Sequence, residues 1–495
     1  MLKKLIDYFT PSYTHLKNRT AFLLLLLTAF LIRFPFFFRD YVDRDESTFI
    51  LVAQSWVNGH LPYTELWDIK PPITFLFFAS VIYSFGKSFL AIRFFGTLMV
   101  VISAFFTYKI GEKMGSKKLG FWSAVICVYL QSMFGSLQGV MSEHICMAFF
   151  MAALYLIISS KKGYRYGMAG LLMGLAVMTK LNMAYAILFV GLFVLFDHFS
   201  KKEFQRGMLR SIGYGTGILV IIGLTVLPYY LQGDAGLWWK SVVKAPLEYA
   251  GARRYSILKI SPLFLILTAF FLFAWKKRLL NFRERSVQIL LVVVLGVLLS
   301  FLRGGRINGH YLIQLHPVLI LLVALVVSKL TYFKRFDYRP YVLFLLLLLP
   351  VETYLEYAAV VKNKGAKGSF FNGEGIDVPK FIIANGLETK DILFLEYHIG
   401  YWVLGVNPPT KAATHPSNIC KSEMFPFYDN PRTTGVEEIR FIMETIRPKT
   451  VVIRKNKSIF DKKLLEENEY INAYLPRHYR LFETIDRAHI YQRLE

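Results

Sequence analysis

Cysteine is nearly missing from this chain: three residues in 495, with Cys127 and Cys146 inside apolar runs and Cys420 alone in the last quarter. That excludes a disulfide framework, and no Cys/His spacing of the zinc type exists. Charge is scarce too, 19% of the chain, and acids are the minority, 34 against 58 Lys and Arg. The resulting net charge of +24 does not mark a nucleic-acid binder, because the basic residues are scattered in short clusters between apolar runs. There is no internal repeat, and no low-complexity tract beyond Leu and Phe enrichment. The first apolar run, AFLLLLLTAFLIRFPFFF, has basic residues before it but lacks the small-residue cleavage site of a signal peptide, so it reads as a retained signal anchor.

What is abundant is apolar. Hydrophobic residues make up 55% of the chain, 44 of its residues are Phe, and the mean hydropathy is +0.41. Runs of roughly 15 to 20 residues, enough to cross a hydrocarbon core of about 30 Å, recur through the first three quarters and then stop. The expected fold class is therefore mainly α: a polytopic membrane helical bundle of about eleven spans with juxtamembrane helices in residues 1–360. A small soluble α/β domain in residues 361–495 completes the chain. In that tail, alternation in DILFLEY and TVVIRK predicts strands, the spacing of GVEEIRFIMETI predicts a helix, and GVNPPT and YDNPRTTG supply turns.

Basic clusters orient the chain, because short basic loops face the cytoplasm. With the N-terminus inside, KIGEKMGSKK, KKGYRYG, DHFSKKEFQR, KKRLLNFRER and KLTYFKRFDYR all fall on the cytoplasmic side. The segment from Asp40 to Pro72, the Glu143-His144 pair, Lys180, Arg303 to His310 and the whole tail fall on the other. The expected location is a bacterial cytoplasmic membrane, with the tail periplasmic or extracellular and Cys420 open to impermeant reagents. One outward loop, LWWKSVVKAPLEYAGARRYS, breaks the charge rule; it reads either as an interfacial segment that gathers anionic lipid or as a cap over a cavity.

The loop RDESTFILVAQSWVNGHLPYTELWDIKPP, from Arg44 to Pro72, carries the chemistry. After Asp45 and Glu46, Phe49, Val52, Ala53, Trp56 and Val57 fall at helical spacing and Asn58-Gly59 gives a stop. This predicts an interfacial helix on the outer membrane surface, with the carboxylates at its N-terminal end, where the helix dipole favours their charged form. A positioned carboxylate can take a proton from a hydroxyl. Lys70, before Pro71-Pro72, is suited to neutralise a phosphate at the membrane surface. The plainer alternatives are a helix cap with solvated charge for the acids and a snorkelling anchor for the lysine.

The order Asp-Glu, amphipathic stretch, Gly, PY, WD, Lys-Pro-Pro resembles the first outer loop of the GT-C superfamily of integral-membrane glycosyltransferases. The branch it is similar to comprises the protein O-mannosyltransferases and the lipid A aminoarabinose transferases. Glu143 at the start of the fourth span, GLAVMTKLN ending around Lys180, and GRINGHYLIQLHPVLILL extend the resemblance over the membrane part. It implies transfer of a sugar, with inversion, from a polyprenyl-phosphate donor to a hydroxyl-bearing acceptor on the outer face. By resemblance Asp45 is the catalytic base with Glu46 its neighbour, Lys70 contacts the donor phosphate, and Glu143, with His144 and Asp68, marks a second acidic or acceptor site. Arg303, Arg306, His310 and Lys180 are further candidates for the donor phosphate, since a departing phosphate gains charge that cations must meet. Arginines flanking a span can equally anchor lipid headgroups. A divalent metal ion is compatible with the carboxylates but not required by the sequence. Ile69 stands where the aminoarabinose branch tends to have an acid before the lysine, which leaves acceptor and subfamily unassigned but not the reaction class; the sugar is not readable from the sequence either. The rival class is a lipid or solute transporter, which would lead one to expect inverted repeats that the sequence does not show.

Overall fold

The computed structural model describes residues 13, 16–159, 162–252, 257–305, 307–330 and 339–494. The chain forms two compact units, one built from Met1–Pro35, Arg93–Thr225 and Arg253–Tyr357, the other from Phe36–Ile92, Val226–Ala252 and Ala358–Glu495.

The first unit is helical. Every apolar run expected to span falls on a helix, and seven helices in the described chain are long and apolar enough to cross a membrane. Pro72–Phe85, Ser261–Lys276 and His316–Lys329 are apolar but shorter. The first span, Asn18–Arg33, shows why such helices suit lipid. Ala21, Leu25 and Ala29 are fully buried, while Leu23, Leu27 and Leu31 leave about half their surface open on another face. In water each exposed leucine would cost roughly 25 cal/mol per Å² of apolar surface; in hydrocarbon that cost vanishes. Close packing inside the unit relies on small residues: a Cβ on Gly111 would lie 2.6 Å from the Cα of Gly120, so helices Phe89–Met114 and Lys117–Leu130 meet backbone to backbone. Arg33, 1% exposed, donates to the carbonyls of Gln131 (3.2 Å), Leu137 (2.6 Å) and Gly139 (2.6 Å) and to Thr97 Oγ1 (3.1 Å). A buried guanidinium is tolerated only when its donors are used, and here they pin the segment that runs from Gln131 to Gly139.

In the second unit the helix expected after Asp45 is present as Arg44–Val57, stopping at Asn58. Asp43 is its N-cap, with a side-chain oxygen accepting from the Asp45 N–H at 2.8 Å. The expectation of an interfacial helix with one solvated face needs correction. Every residue from Glu46 to Ala53 is buried, because helix Pro72–Phe85 covers part of this helix and the tail packs against it as well. Pro72 begins that second helix at its first turn, where a missing N–H costs nothing.

The tail contains the two expected strands, β1 (Leu393–Phe394) and β2 (Thr450–Arg454), paired in parallel, and two that the sequence reading missed, β3 (Tyr479–Ile485) and β4 (Ala488–Arg493). The order is β1-β2-β4-β3, with β4 antiparallel to both neighbours. GVEEIRFIMETI is helical over Gly435–Arg440 and continues as a wider turn of π type over Phe441–Ile446.

Asp40 ties the first loop to the tail. Its Oδ2 accepts from the Ile376 N–H at 2.6 Å, at the start of helix Glu374–Ala384, and its own N–H donates to the Asn372 carbonyl at 3.2 Å. Gly373, at φ +117°, leaves the room: a Cβ there would lie 1.9 Å from Asp40 Oδ1. Burial pushes the Asp40 carboxyl up to about 7 against the pull of two backbone N–H groups. A folded-state value above the unfolded one means that stability is fully present below about 4 and is lost as pH rises through about 7, by an amount on the order of 4 kcal/mol. Thermal melts of detergent-solubilised protein should therefore fall between pH 5 and pH 8, and Asp40→Asn should flatten that fall. Equal slopes in both proteins would refute the assignment.

Candidate active site

Asp45 lies in the first turn of helix Arg44–Val57 with its side chain 24% exposed, while neighbouring Glu46 is 1% exposed. Lys70 Nζ donates to Asp45 Oδ2 at 2.9 Å. Twenty-four residues separate the two in sequence, and the intervening turn is what brings them together. Tyr63, at φ +76°, closes it: its N–H donates to the Leu66 carbonyl at 2.9 Å and its hydroxyl to the Lys70 carbonyl at 2.6 Å. The Lys70 ammonium also lies 5.3 Å from the centre of the Phe49 ring. Asp68, 4% exposed, is buried within the same turn.

The tail reaches this pair. His415 Nε2 is 3.4 Å from Asp45 Oδ1, and Nδ1 of the same ring accepts from the Ser417 N–H at 3.1 Å. His398, fully buried, bonds Thr48 Oγ1 through Nε2 at 2.9 Å, one turn along the helix from Asp45. Burial, reinforced by the neighbouring His415 and Arg44, drives the His398 imidazole far below its ordinary range, so it is neutral. Arg44 pairs with Glu396; burial alone would raise that carboxyl, yet the guanidinium, helped by Lys457, holds it below the usual range. Trp67 is buried beside them, its N–H on Thr414 Oγ1 at 3.4 Å and its indole N–H on Ser241 Oγ at 3.1 Å. Ser241 belongs to the exceptional basic loop, which folds as Ala235–Trp239, a π turn over Lys240–Lys244 and Ala245–Ala252. That loop packs on the tail through Lys240 to Asp429 at 3.3 Å and Lys421 over the Tyr249 ring; Arg253 and Arg254 lie outside the described residues.

In the first unit a second group of the expected residues comes together. Glu143 is fully buried at the start of helix Ser142–Ser159, with Lys180 Nζ on its Oε1 at 2.7 Å and Ser142 Oγ donating to Oε2 at 3.1 Å. His310 Nε2 is 3.9 Å from the same oxygen, and the Lys180 ammonium stands 4.8 Å over the Tyr311 ring. Lys180 is thus buried and neutralised rather than facing lipid. His144 spends both ring nitrogens on backbone: Nδ1 accepts from the Met141 N–H and Nε2 meets the Gln131 carbonyl at 2.8 Å. Arg303 is exposed in the last turn of helix Arg285–Gly304, and Arg306 lies outside the described residues.

His415, His398, Thr414, Trp67 and Glu396 were not found from sequence. ATHPSN around His415 has no periodicity and no motif, and only the fold carries it to Asp45. Among the described residues no group of three or more His, Cys, Asp or Glu side chains is arranged to hold a metal ion.

The model of the dolichyl-phosphate-mannose-protein mannosyltransferase family matches residues 69–229, a stretch that includes Lys70, Glu143 and Lys180 and begins after Asp45. The crystal structure of ArnT from Cupriavidus metallidurans in the apo state superposes with a TM-score of 0.62 at 12% identity, covering 96% of this chain and 98% of that one. The same protein bound to undecaprenyl phosphate gives 0.54 at 12% identity, covering 95% and 97%. No curated protein matches by sequence. The resemblance drawn from the first loop is borne out: the fold is that of ArnT, and the matched family is a mannosyltransferase family.

Removing one partner of a buried ion pair strands the other. Lys180→Met should cost about 3 kcal/mol or more, seen as a lowered melting temperature, and Glu143→Gln in the same chain should recover much of it. Additive losses in the double variant would show that the two charges do not compensate each other.

Proposed function

We propose that this multi-pass membrane protein of the GT-C fold is a glycosyltransferase that moves a sugar from a polyprenyl-phosphate donor to an acceptor hydroxyl at the outer face of the membrane. The observation that carries the reading is the Asp45–Lys70 pair, a carboxylate and an ammonium 2.9 Å apart at a helix N-terminus. Asp45 takes the proton of the acceptor hydroxyl; the oxygen attacks the anomeric carbon from the side opposite the phosphate, and the bond to phosphate breaks with inversion. The phosphate leaves with an added negative charge, which Lys70 meets. An ammonium has three donors, enough to hold a carboxylate and phosphate oxygens together. Asp45 is preferred over Glu46 as base because it is the more exposed of the two. Lys180 carries no comparable weight, since Glu143 already neutralises it. The family match and the undecaprenyl phosphate held by ArnT support the donor class.

Sugar release from a radiolabelled polyprenyl-phosphate donor in detergent micelles tests the reaction. Asp45→Asn should lower it by about 10²- to 10⁴-fold with the melting temperature preserved. Wild-type turnover in that variant would remove Asp45 from the mechanism.

The proposed orientation has its own check. Cys420 is 4% exposed, so it should resist an impermeant maleimide even on an outward domain, contrary to the expectation from sequence. Lys462→Cys, on an exposed position of the tail, should label in intact cells, and Lys277→Cys only after permeabilisation. The reverse pattern would invert the topology.

A further inference from the structure

His415 stands at the Asp45 carboxylate on the oxygen that Lys70 does not hold: Lys70 Nζ is on Oδ2 at 2.9 Å, His415 Nε2 faces Oδ1 at 3.4 Å. The imidazole is oriented from behind. The Ser417 N–H (3.1 Å) and Ser417 Oγ (2.9 Å) both reach Nδ1, and a backbone N–H can only donate, so Nδ1 is the acceptor and the ring proton lies on Nε2. The nitrogen that carries it is the one 3.4 Å from Asp45 Oδ1. Pro416 fixes the backbone of the short turn Pro416–Asn418, for which His415 is itself the cap. Next to it, Thr414 Oγ1 accepts from the Trp67 N–H, so the segment that carries His415 is anchored to the turn that carries Lys70.

We propose that His415, supplied by the C-terminal module, is the positioning residue of Asp45: its Nε2–H holds Oδ1 and turns Oδ2 toward the acceptor hydroxyl. The inference rests on the reading of Asp45 as the base. It gives the tail a part in the reaction. A carboxylate at a partly open helix end can rotate about χ2, and a donor on each oxygen removes that freedom. The other charged or titratable groups around the pair are Asp43 and Glu46 on the same helix, Arg44 with its partner Glu396, Lys70, and His398, whose ring centre is 5.7 Å from that of His415. His398 is neutral, and Arg44 is paired with Glu396, while His415 and Lys70 each stand at one oxygen of the carboxylate. Losing a donor to the charged form weakens that form, so the group titrates higher.

The test is the pH profile of kcat/KM for sugar release, in the wild type and in His415→Phe, which fills the space without a donor, and His415→Gln, whose amide can donate. In His415→Phe the acid limb should move up by about one pH unit, with kcat down about tenfold and donor KM held within about twofold. His415→Gln should return the limb toward wild type. A structural role would lower melting temperature and amount of folded enzyme but leave the limb where it was, and an unmoved limb in folded His415→Phe overturns the proposal. Should the Phe variant not fold, the same comparison is made on His415→Gln against His415→Asn, whose shorter amide falls short of Asp45; identical limbs there count against the proposal. Asp45→Asn, run alongside, separates the two ideas. If it is inactive while the His415 limb is unmoved, only this inference fails; if it turns over normally, the base assignment fails and takes this inference with it.

Discussion

A half-buried anion has to be met by donors, and the second unit is organised around meeting the one on Asp45. Lys70 comes from the end of the first loop, His415 from the tail, and the helix of Asp45 adds the partial positive charge of its N-terminus. None of these is near the others in sequence. The fold holds them by a second tier of contacts: Asp40 on the start of a tail helix, Arg44 with Glu396, Thr48 with His398, and Trp67 with Thr414 and Ser241. Most of these contacts join the first loop to the tail. The tail therefore shares a polar interior with the loop, and its removal would strip His415, Glu396 and His398 from the surroundings of Asp45.

The first unit obeys the same constraint under harsher conditions, because its surroundings are hydrocarbon and each stranded polar group costs several kcal/mol. Arg33 satisfies its guanidinium on three loop carbonyls and a threonine, and Glu143 is neutralised by Lys180 with Ser142 on its other oxygen. Asp197 is likewise held between Lys201 and Arg285.

The helical architecture was legible in the sequence because hydrophobic run length is set directly by bilayer thickness and survives any tertiary detail. The helix after Asp45 was legible for the related reason that its apolar spacing and Asn-Gly stop are local signals. Its surroundings were not: spacing shows which residues are apolar and says nothing of what covers the remaining faces, so a buried helix passed for an interfacial one. Asp45 and Lys70 could be picked out because adjacent acids and a Lys-Pro-Pro are conspicuous in a greasy chain. His415 could not, because its role depends on a contact across 369 intervening positions and on a turn built by Pro416 and Ser417. Strands β3 and β4 escaped notice because β3 shows no period-two burial, with Arg480 to Glu483 all exposed, and its pairing is broken by a bulge between Leu481 and Glu483.

The central claim is that Lys70 serves both the base and the departing phosphate. A structure of this protein bound to a polyprenyl phosphate tests it most directly. The account predicts a phosphate oxygen within hydrogen-bond distance of Lys70 Nζ, with Asp45 close enough to that phosphate for a sugar to lie between them. A phosphate bound elsewhere, with Lys70 still closed on Asp45, would contradict it.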